Sequence, residues 1–493
     1  MTFPFSRRAF SALFPALPFT AAAQPAAPVP APPSGQVDEE RIPPLGPAQS
    51  PDQLMERTRH RRAVEAAIWG MPAVNYDLMR QEMLKAGGTE NQIIYWGRPL
   101  DWRNQTLTPN PDTLYFMSFF DLRVGPLVIE VPPGDAGGSL NGNIVNLRQM
   151  PLEDVGLLGV DRGVGGRFVL LPPGQAEPPL PAGYTALPCD TLGGYALFRA
   201  NLASHGEEDV RRSLAYGRRV RIYPLAQAAN PPPNALTDAK DVIFNSTIRY
   251  DASFFDNLNR IVQAEPWLPR DRLMINTLRS LGMERGKPFN PDAPTRTRFD
   301  AAMREVHAYL GAMYERGWEP FFANTNWRPA ADAEFVKLQV TNYSDTEAYP
   351  SDLRGLAYTY GYIGLKRLGV GQFYLIAIHD KDGKALEGGQ TYRLRVPPNV
   401  PVEQYWSVTA YDRESHALIR DMPRASRSSQ VAEMARNADG SIDILFGPSA
   451  PSGRDANWIP TDPRRGFELM FRVYGPRPEF FQKRWVLPDM ERI

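Results

Sequence analysis

Two hydrophobic periods alternate along this chain. Over residues 52–88, Leu54, Ala63, Ala66, Ala67 and Ile68 are spaced among charges and Gly87-Gly88 closes the stretch, a pattern that predicts a helix. Pro72 falls inside it and predicts a break or kink, since proline has no amide donor and crowds the preceding turn. From about 90 to 200 the apolar runs shorten. Those at 113–120, 127–131, 167–171 and 195–199 are bounded in part by Gly125-Pro126, Pro132-Pro133-Gly134 and Pro172-Pro173-Gly174. Short runs between such turns predict antiparallel strands. From 205 to 318 helical spacing returns. Its clearest case is 298–314, where Phe299, Met303, Val306, Leu310 and Met313 share one stripe. Strands return at 372–378, 391–396, 405–411, 442–446 and 467–474. Asp380-Lys381-Asp382-Gly383 and Asn437-Ala438-Asp439-Gly440 read as hairpin loops. The first lacks the acidic spacing of a calcium loop.

These runs predict an α+β multidomain fold. An N-terminal helix with an antiparallel β-sandwich spans 52–204, a central helical domain 205–330, and a C-terminal jelly-roll β-sandwich 335–493. No repeat of solenoid or propeller length is present.

The first 51 residues follow neither period. Ser6-Arg7-Arg8-Ala9-Phe10 precedes a modest apolar run from Ala12 to Ala23, and no acid appears before Asp38. A basic start, a short apolar segment and small residues at its end predict an export signal over 1–23, cleaved near Ala23. The arginine pair gives it the twin-arginine form, which carries folded proteins, so the expected location is the periplasm. The run is too short and too broken by Pro15 and Pro18 to be a stable membrane anchor. Nine prolines between Pro25 and Pro51 make 24–51 an extended linker.

Charge narrows the partners. Lys and Arg total 55 and Asp and Glu total 55, so no basic surplus exists for nucleic acid. The single cysteine, Cys189, excludes an internal disulfide and reads as a small buried apolar residue. The five histidines form no metal-binding pair motif, which leaves His379 or His416 with carboxylates as the remaining raw material for a metal. Phosphate-cradling glycine loops and the serine-hydrolase elbow are also missing.

Four polar constellations remain. Thr108-Pro109-Asn110-Pro111-Asp112-Thr113-Leu114-Tyr115 is a proline-stiffened loop, which either starts a strand through Asx turns or presents Asn110, Asp112 and Tyr115 to a ligand. Arg148-Gln149-Met150-Pro151-Leu152-Glu153-Asp154 offers Gln149 for binding and two adjacent acids. In a strand those acids face opposite sides, so Asp154 would need a partner such as Asp112 from another loop. The third runs from Tyr411-Asp412-Arg413 to Gln430. Its four arginines in 15 residues, Arg420 and Arg427 among them, suit either a carboxylate or phosphate clamp or an ion-paired surface loop. Asn457 and Trp458, beside Pro460, suit either ligand stacking or a plug at the end of a sandwich.

The same stretches carry a resemblance. The loop 108–115 and Gly125-Pro126-Leu127-Val128-Ile129-Glu130-Val131-Pro132 resemble the domain-of-unknown-function family 1254. Tyr405-Trp406-Ser407-Val408-Thr409-Ala410-Tyr411-Asp412, Asn457-Trp458-Ile459-Pro460 and Phe471-Arg472-Val473-Tyr474-Gly475-Pro476 resemble family 1214. The resemblance implies the sandwich, helical and jelly-roll order already read from the pattern, and no established reaction.

Three functions follow as expectations. One is an enzyme of hydrolase or lyase type, independent of a nucleotide cofactor and with any other cofactor unknown, acting on a small polar or aromatic compound. Asp112 or Asp154 would be its general acid or base, and Asn110, Tyr115, Gln149, Tyr411, Arg420, Arg427, Asn457 and Trp458 would bind the substrate. Another is a noncatalytic periplasmic protein capturing a small molecule or carbohydrate. The third is an envelope assembly protein, with homo-oligomerisation open in each case.

Overall fold

The computed structural model describes residues 50–361, 363–367 and 371–493. The expected export signal and nearly all of the linker lie outside the described residues. The chain divides into two units, Met1–Leu54 and Met55–Ile493. Of the first, residues 50–54 are described, and there Ser50 and Gln53 cap each other reciprocally: the Ser50 amide donates to Gln53 Oε1 at 3.0 Å and the Gln53 amide to Ser50 Oγ at 3.2 Å.

A helix spans Pro51–Lys85 and continues through Pro72 instead of ending there. Tertiary packing explains the difference. Ala63, Ala66, Ala67, Met71, Ala73 and Val74 are wholly buried, which outweighs a proline penalty of about 3 kcal/mol. Gly70 brings the helix Ser253–Ala264 close, because a Cβ there would stand 2.8 Å from Leu258 Cδ1.

The fold is mixed α and β with several sheets. A six-stranded sheet runs in the order Leu236–Asp238, Ile93–Tyr95, Leu114–Asp121, Gly193–Ala200, Leu140–Asn146, Pro151–Gly156. Beside it a four-stranded sheet is ordered Arg221–Pro224, Leu127–Val131, Gly166–Leu171, Tyr184–Pro188. In the C-terminal half a five-stranded sheet runs Arg328–Pro329, Gln372–Ala377, Phe467–Pro476, Val402–Asp412, Ser426–Ser428. A second four-stranded sheet runs Trp458–Pro460, Ile442–Gly447, Tyr392–Val396, Glu491–Arg492.

Side-chain alternation assigns the faces of these strands. Leu114, Phe116 and Phe120 share an apolar cluster with Ile129 and Phe168 of the neighbouring sheet. The alternate residues Tyr115, Met117 and Phe119 enter a different cluster, built with the long helix and with Phe299, Met303, Val306 and Leu310. The C-terminal half repeats the scheme. Leu469, Phe471 and Val473 join Leu394 and Ile444, whereas Met470 enters the cluster containing the helices. The helix-bearing core therefore touches one face of the six-stranded sheet and one face of the five-stranded sheet.

Some segments depart from the expected pattern. Arg221–Pro224 and Leu236–Asp238, inside the stretch read as helical, are edge strands too short to show a period. Leu140–Asn146 is a central strand despite Asn141, Gly142, Asn143 and Asn146. Asn143 meets Asp154 and Arg199 on the two neighbouring strands, so low β-propensity is overridden by context.

Candidate functional site

Residues 107–110 of the proline-stiffened loop form one wall of a cavity of about 150 Å³ inside the Met55–Ile493 unit. Thr108 adopts a positive φ of 35°. Its amide donates to the His416 carbonyl at 2.6 Å. The carbonyls of Thr108 and Pro109 accept from Arg472 Nη2 at 3.1 Å and from the Tyr411 hydroxyl at 2.7 Å. Asn110 is buried at the turn. Its Nδ2 donates to the Tyr474 hydroxyl at 2.6 Å, its amide to the Tyr115 hydroxyl at 3.0 Å, and its Oδ1 accepts from the Asp112 amide at 3.0 Å. Both readings of this loop thus meet in one residue: Asn110 makes the Asx turn and also lines the cavity.

The wall is apolar at Met79, Trp96, Leu100, Met117, Leu197 and Met470. Polar groups come from Asn75, Asn104, Gln372, Tyr195 and Tyr374. The lining includes Arg199 from Gly193–Ala200 and Arg472 from Phe467–Pro476, and no other charged side chain among the described residues. Arg199 donates to Asn143 Oδ1 at 3.0 Å and lies 5.6 Å from the Tyr115 ring centre. Arg472 is 2 % exposed and donates to Thr409 Oγ1 at 3.0 Å and the Tyr411 hydroxyl at 2.6 Å. Burial acts against the Arg472 charge, but the Tyr411, Tyr474 and Tyr374 oxygens more than offset it and hold its pKa above the usual value.

Gln149 stands behind the wall at a positive φ of 61° and 0 % exposure. Its Nε2 donates to Asn75 Oδ1 at 3.0 Å, and its Oε1 accepts from the Tyr195 hydroxyl at 2.7 Å. One glutamine therefore sets the orientation of two lining residues. Burial raises the Tyr195 pKa, so its hydroxyl stays protonated.

Asp112 and Asp154 lie off this wall and do not meet. Asp112 is 1 % exposed, accepts from the Ser426 hydroxyl at 2.9 Å, and has His205 Nε2 at 3.7 Å. Asp154 accepts from Asn143 Nδ2 at 2.9 Å and from the amides of Lys366 and Arg367 at 2.9 and 2.7 Å. Burial pushes its pKa up, against the pull of these donors. Glu153 grips the Arg367 guanidinium at 2.8 and 3.0 Å. These adjacent acids, expected to face apart, both hold segment 366–367, next to a register shift at Ile144/Val145 in the paired strand.

Four other candidates lie elsewhere. Arg420 is exposed and donates to Gln105 Oε1 at 3.1 Å. Arg427 reaches the Ser426 and Asp455 carbonyls at 3.4 Å. Asn457 ties the backbone of Ala435 and Asp443 together at 2.8–2.9 Å. Trp458 donates to the Gly447 carbonyl at 3.0 Å, with Arg424 over its ring at 5.9 Å. Tyr411 sits one layer behind the wall with Gln149. Sequence reasoning passed over Asn75, Trp96, Tyr195, Arg199, Tyr374 and Arg472. An available signal was an arginine inside an otherwise apolar strand, as in Leu469-Met470-Phe471-Arg472-Val473.

His416 pairs through Nδ1 with Glu468 Oε1 at 2.8 Å, and Glu468 Oε2 accepts from the Tyr314 hydroxyl at 3.0 Å. His379 pairs with Glu315 at 2.6 Å. Among the described residues no group of three His, Cys, Asp or Glu side chains could hold a metal ion, and no helix is long and apolar enough to cross a membrane. Cys189 is buried, and burial pushes its thiol up to about 12.

The His416 turn is held by Asp412, whose Oδ1 accepts from the Ser415 amide at 2.9 Å and from Arg465 Nη2 at 2.8 Å. Burial would raise this carboxyl, but Arg465 and Ser415 outweigh it and hold the pKa below 3.8. Its stabilising effect is therefore complete above that ordinary value and disappears as pH falls through the lowered one. Asp412→Asn is expected to cost about 2 kcal/mol at neutral pH. Its urea midpoint should converge on that of the parent protein in acid. A gap that stays constant down to the lowest pH at which both fold would refute the assignment.

The architecture is that of a mixed α and β protein whose two β-rich halves share one internal cavity. Residues 90–224 match the family described as "Protein of unknown function (DUF1254)" and 371–478 match "Protein of unknown function (DUF1214)", so the chain carries both domains in that order. Tyr115 and Arg199 come from the first region, Tyr374 and Arg472 from the second. No curated protein matches the chain. Among solved structures, the VPA0106 protein from Vibrio parahaemolyticus is similar at 19% identity and a TM-score of 0.55, covering 88% of this chain and 100% of that one. It shares the fold. An uncharacterized protein from Burkholderia cenocepacia aligns at 12% identity and a TM-score of 0.38, over 89% of this chain and 95% of that one.

Proposed function

We propose that this is an exported, noncatalytic small-molecule-binding protein working in the periplasm, its ligand held in the cavity between the two family regions. The observation that carries the reading is the lining. Aromatic and apolar walls converge with amide, hydroxyl and guanidinium donors, the composition of a binding pocket. No described carboxylate or imidazole lines it, and Asp112 and Asp154 are engaged elsewhere, which favours capture over acid–base chemistry. Apolar clusters shared between the paired sheets support a β-sandwich in the N-terminal half and a jelly-roll sandwich in the C-terminal half. Export rests on Arg7-Arg8 and the run that follows.

Thermal-shift screening of small polar and aromatic compounds tests the binding. Leu197→Phe, which fills the cavity, should abolish any shift seen with the parent protein while the variant still unfolds cooperatively. Hits that survive this substitution would place binding elsewhere. Replacing Arg7 and Arg8 with lysine should trap the chain in the cytoplasm; unchanged export would refute the twin-arginine reading.

A further inference from the structure

Resting on that binding reading, we propose that the cavity takes a small organic carboxylate, a single-ring or short-chain acid, with its headgroup against Arg199 and Arg472. The charge distribution is the central observation. Both guanidiniums line the cavity, and neither forms an ion pair among the described residues. Their partners are Asn143, Thr409, Tyr411 and the Thr108 carbonyl, all neutral. Neutral oxygens solvate these cations without cancelling their charge, and a bound anion would supply the missing counter-charge.

The wall cannot supply the anion. Arginine stays protonated at every physiological pH, and burial keeps the Tyr195 and Tyr474 hydroxyls protonated too. Asp154 is separated from Arg199 by Asn143, and its oxygens are already taken by Asn143, Lys366 and Arg367. Donor capacity is also left over. Arg472 Nε and Trp96 Nε1 are buried in the lining residues without a partner. Arg472 lies 5.2 Å over the Tyr374 ring and Arg199 5.6 Å over the Tyr115 ring, and Asn110 joins the two sides by donating to the Tyr474 and Tyr115 hydroxyls, the Tyr474 hydroxyl standing 3.5 Å from that of Tyr374.

Shape sets the rest of the ligand. A volume of about 150 Å³ accommodates one six-membered ring, too little for a nucleotide. Trp96, Leu100, Met117 and Leu197 would pack against that body. A planar carboxylate suits a guanidinium because two parallel N–H donors can meet its two oxygens.

Calorimetric titration of the full chain with benzoate, phenylacetate and hexanoate, each beside its neutral amide, tests the proposal. The acids should bind at least tenfold more tightly than the amides. Arg199→Gln and Arg472→Gln should each weaken the acids tenfold or more and leave the amides unchanged. Arg472 also clamps the 108–110 loop, so its variant counts only if its thermal midpoint is retained; Arg199→Gln carries the test otherwise. Amides binding as well as acids would overturn the carboxylate proposal and leave the binding reading standing. Inorganic phosphate binding more tightly than every acid would overturn it in favour of an inorganic anion. Failure of acids, amides and phosphate alike would remove both readings.

Discussion

Gly361→Ala is expected to destabilise the protein by about 3 kcal/mol or more, through backbone strain and overpacking together. Gly361 follows the helix Ser351–Tyr360 at a φ of 112°, a region that residues with a Cβ rarely enter. An added Cβ would lie 2.1 Å from Thr108 Oγ1 and 2.8 Å from the Leu107 carbonyl carbon and oxygen. The threonine side chain can turn away, but the Leu107 backbone cannot. That backbone is held downstream by the Thr108 amide on His416 and the Thr108 carbonyl on Arg472. The clash is therefore passed into the cavity wall. A lower urea midpoint and weakened ligand binding should appear together. A midpoint indistinguishable from that of the parent protein would show that this approach does not exist in solution.

Glu468→Leu is expected to cost about 3 kcal/mol or more, because it removes one member of a buried polar set and strands the others. Glu468 is 1 % exposed and serves both His416 Nδ1 and the Tyr314 hydroxyl. Arg413 Nη1 lies 3.9 Å away, so the substitution also leaves a nearby cation short of one carboxylate. Leucine is of similar size but offers neither partner an acceptor. Glu468→Gln is the discriminating control: its amide oxygen can accept from Tyr314, so most of the loss should return. Equal urea midpoints for the two variants would mean that the cost comes from shape and not from hydrogen bonding.

The strands announced themselves where both faces are apolar. In Leu114–Asp121 the odd and even positions enter different cores, so all of the run but Ser118 and Asp121 is hydrophobic and it stands out. Helix Ala293–Arg316 was equally plain, since Phe299, Met303, Val306 and Leu310 form one buried stripe. Leu140–Asn146 was hidden because it is rich in asparagine, and Asn143 finds its partners, Asp154 and Arg199, only on other strands. The site divides along the same line. Asn110 and Tyr115 could be read locally, from a stiff loop leading into a strand. Arg199 and Arg472 were harder to read, because an arginine within an apolar strand marks a position of interest but shows its role only when the sheet reveals that no acid comes to meet it. The surface-rich run 413–427 drew attention by arginine density, yet density marks solvated ion pairs as readily as a ligand clamp.

The order of strands within the sheets has a consequence for how the chain reaches its native state. Leu114–Asp121 pairs with Gly193–Ala200, and Gln372–Ala377 with Phe467–Pro476, so each central ladder closes across a long stretch of chain. Such pairings are slow, because the entropy of closing the loop is lost before the contacts form. Arg199 and Arg472 each ride on the later partner of a ladder. The two cations come together only after both closures, so a competent pocket reports that the whole unit has finished folding, and a compound that binds there holds the distant halves together against opening.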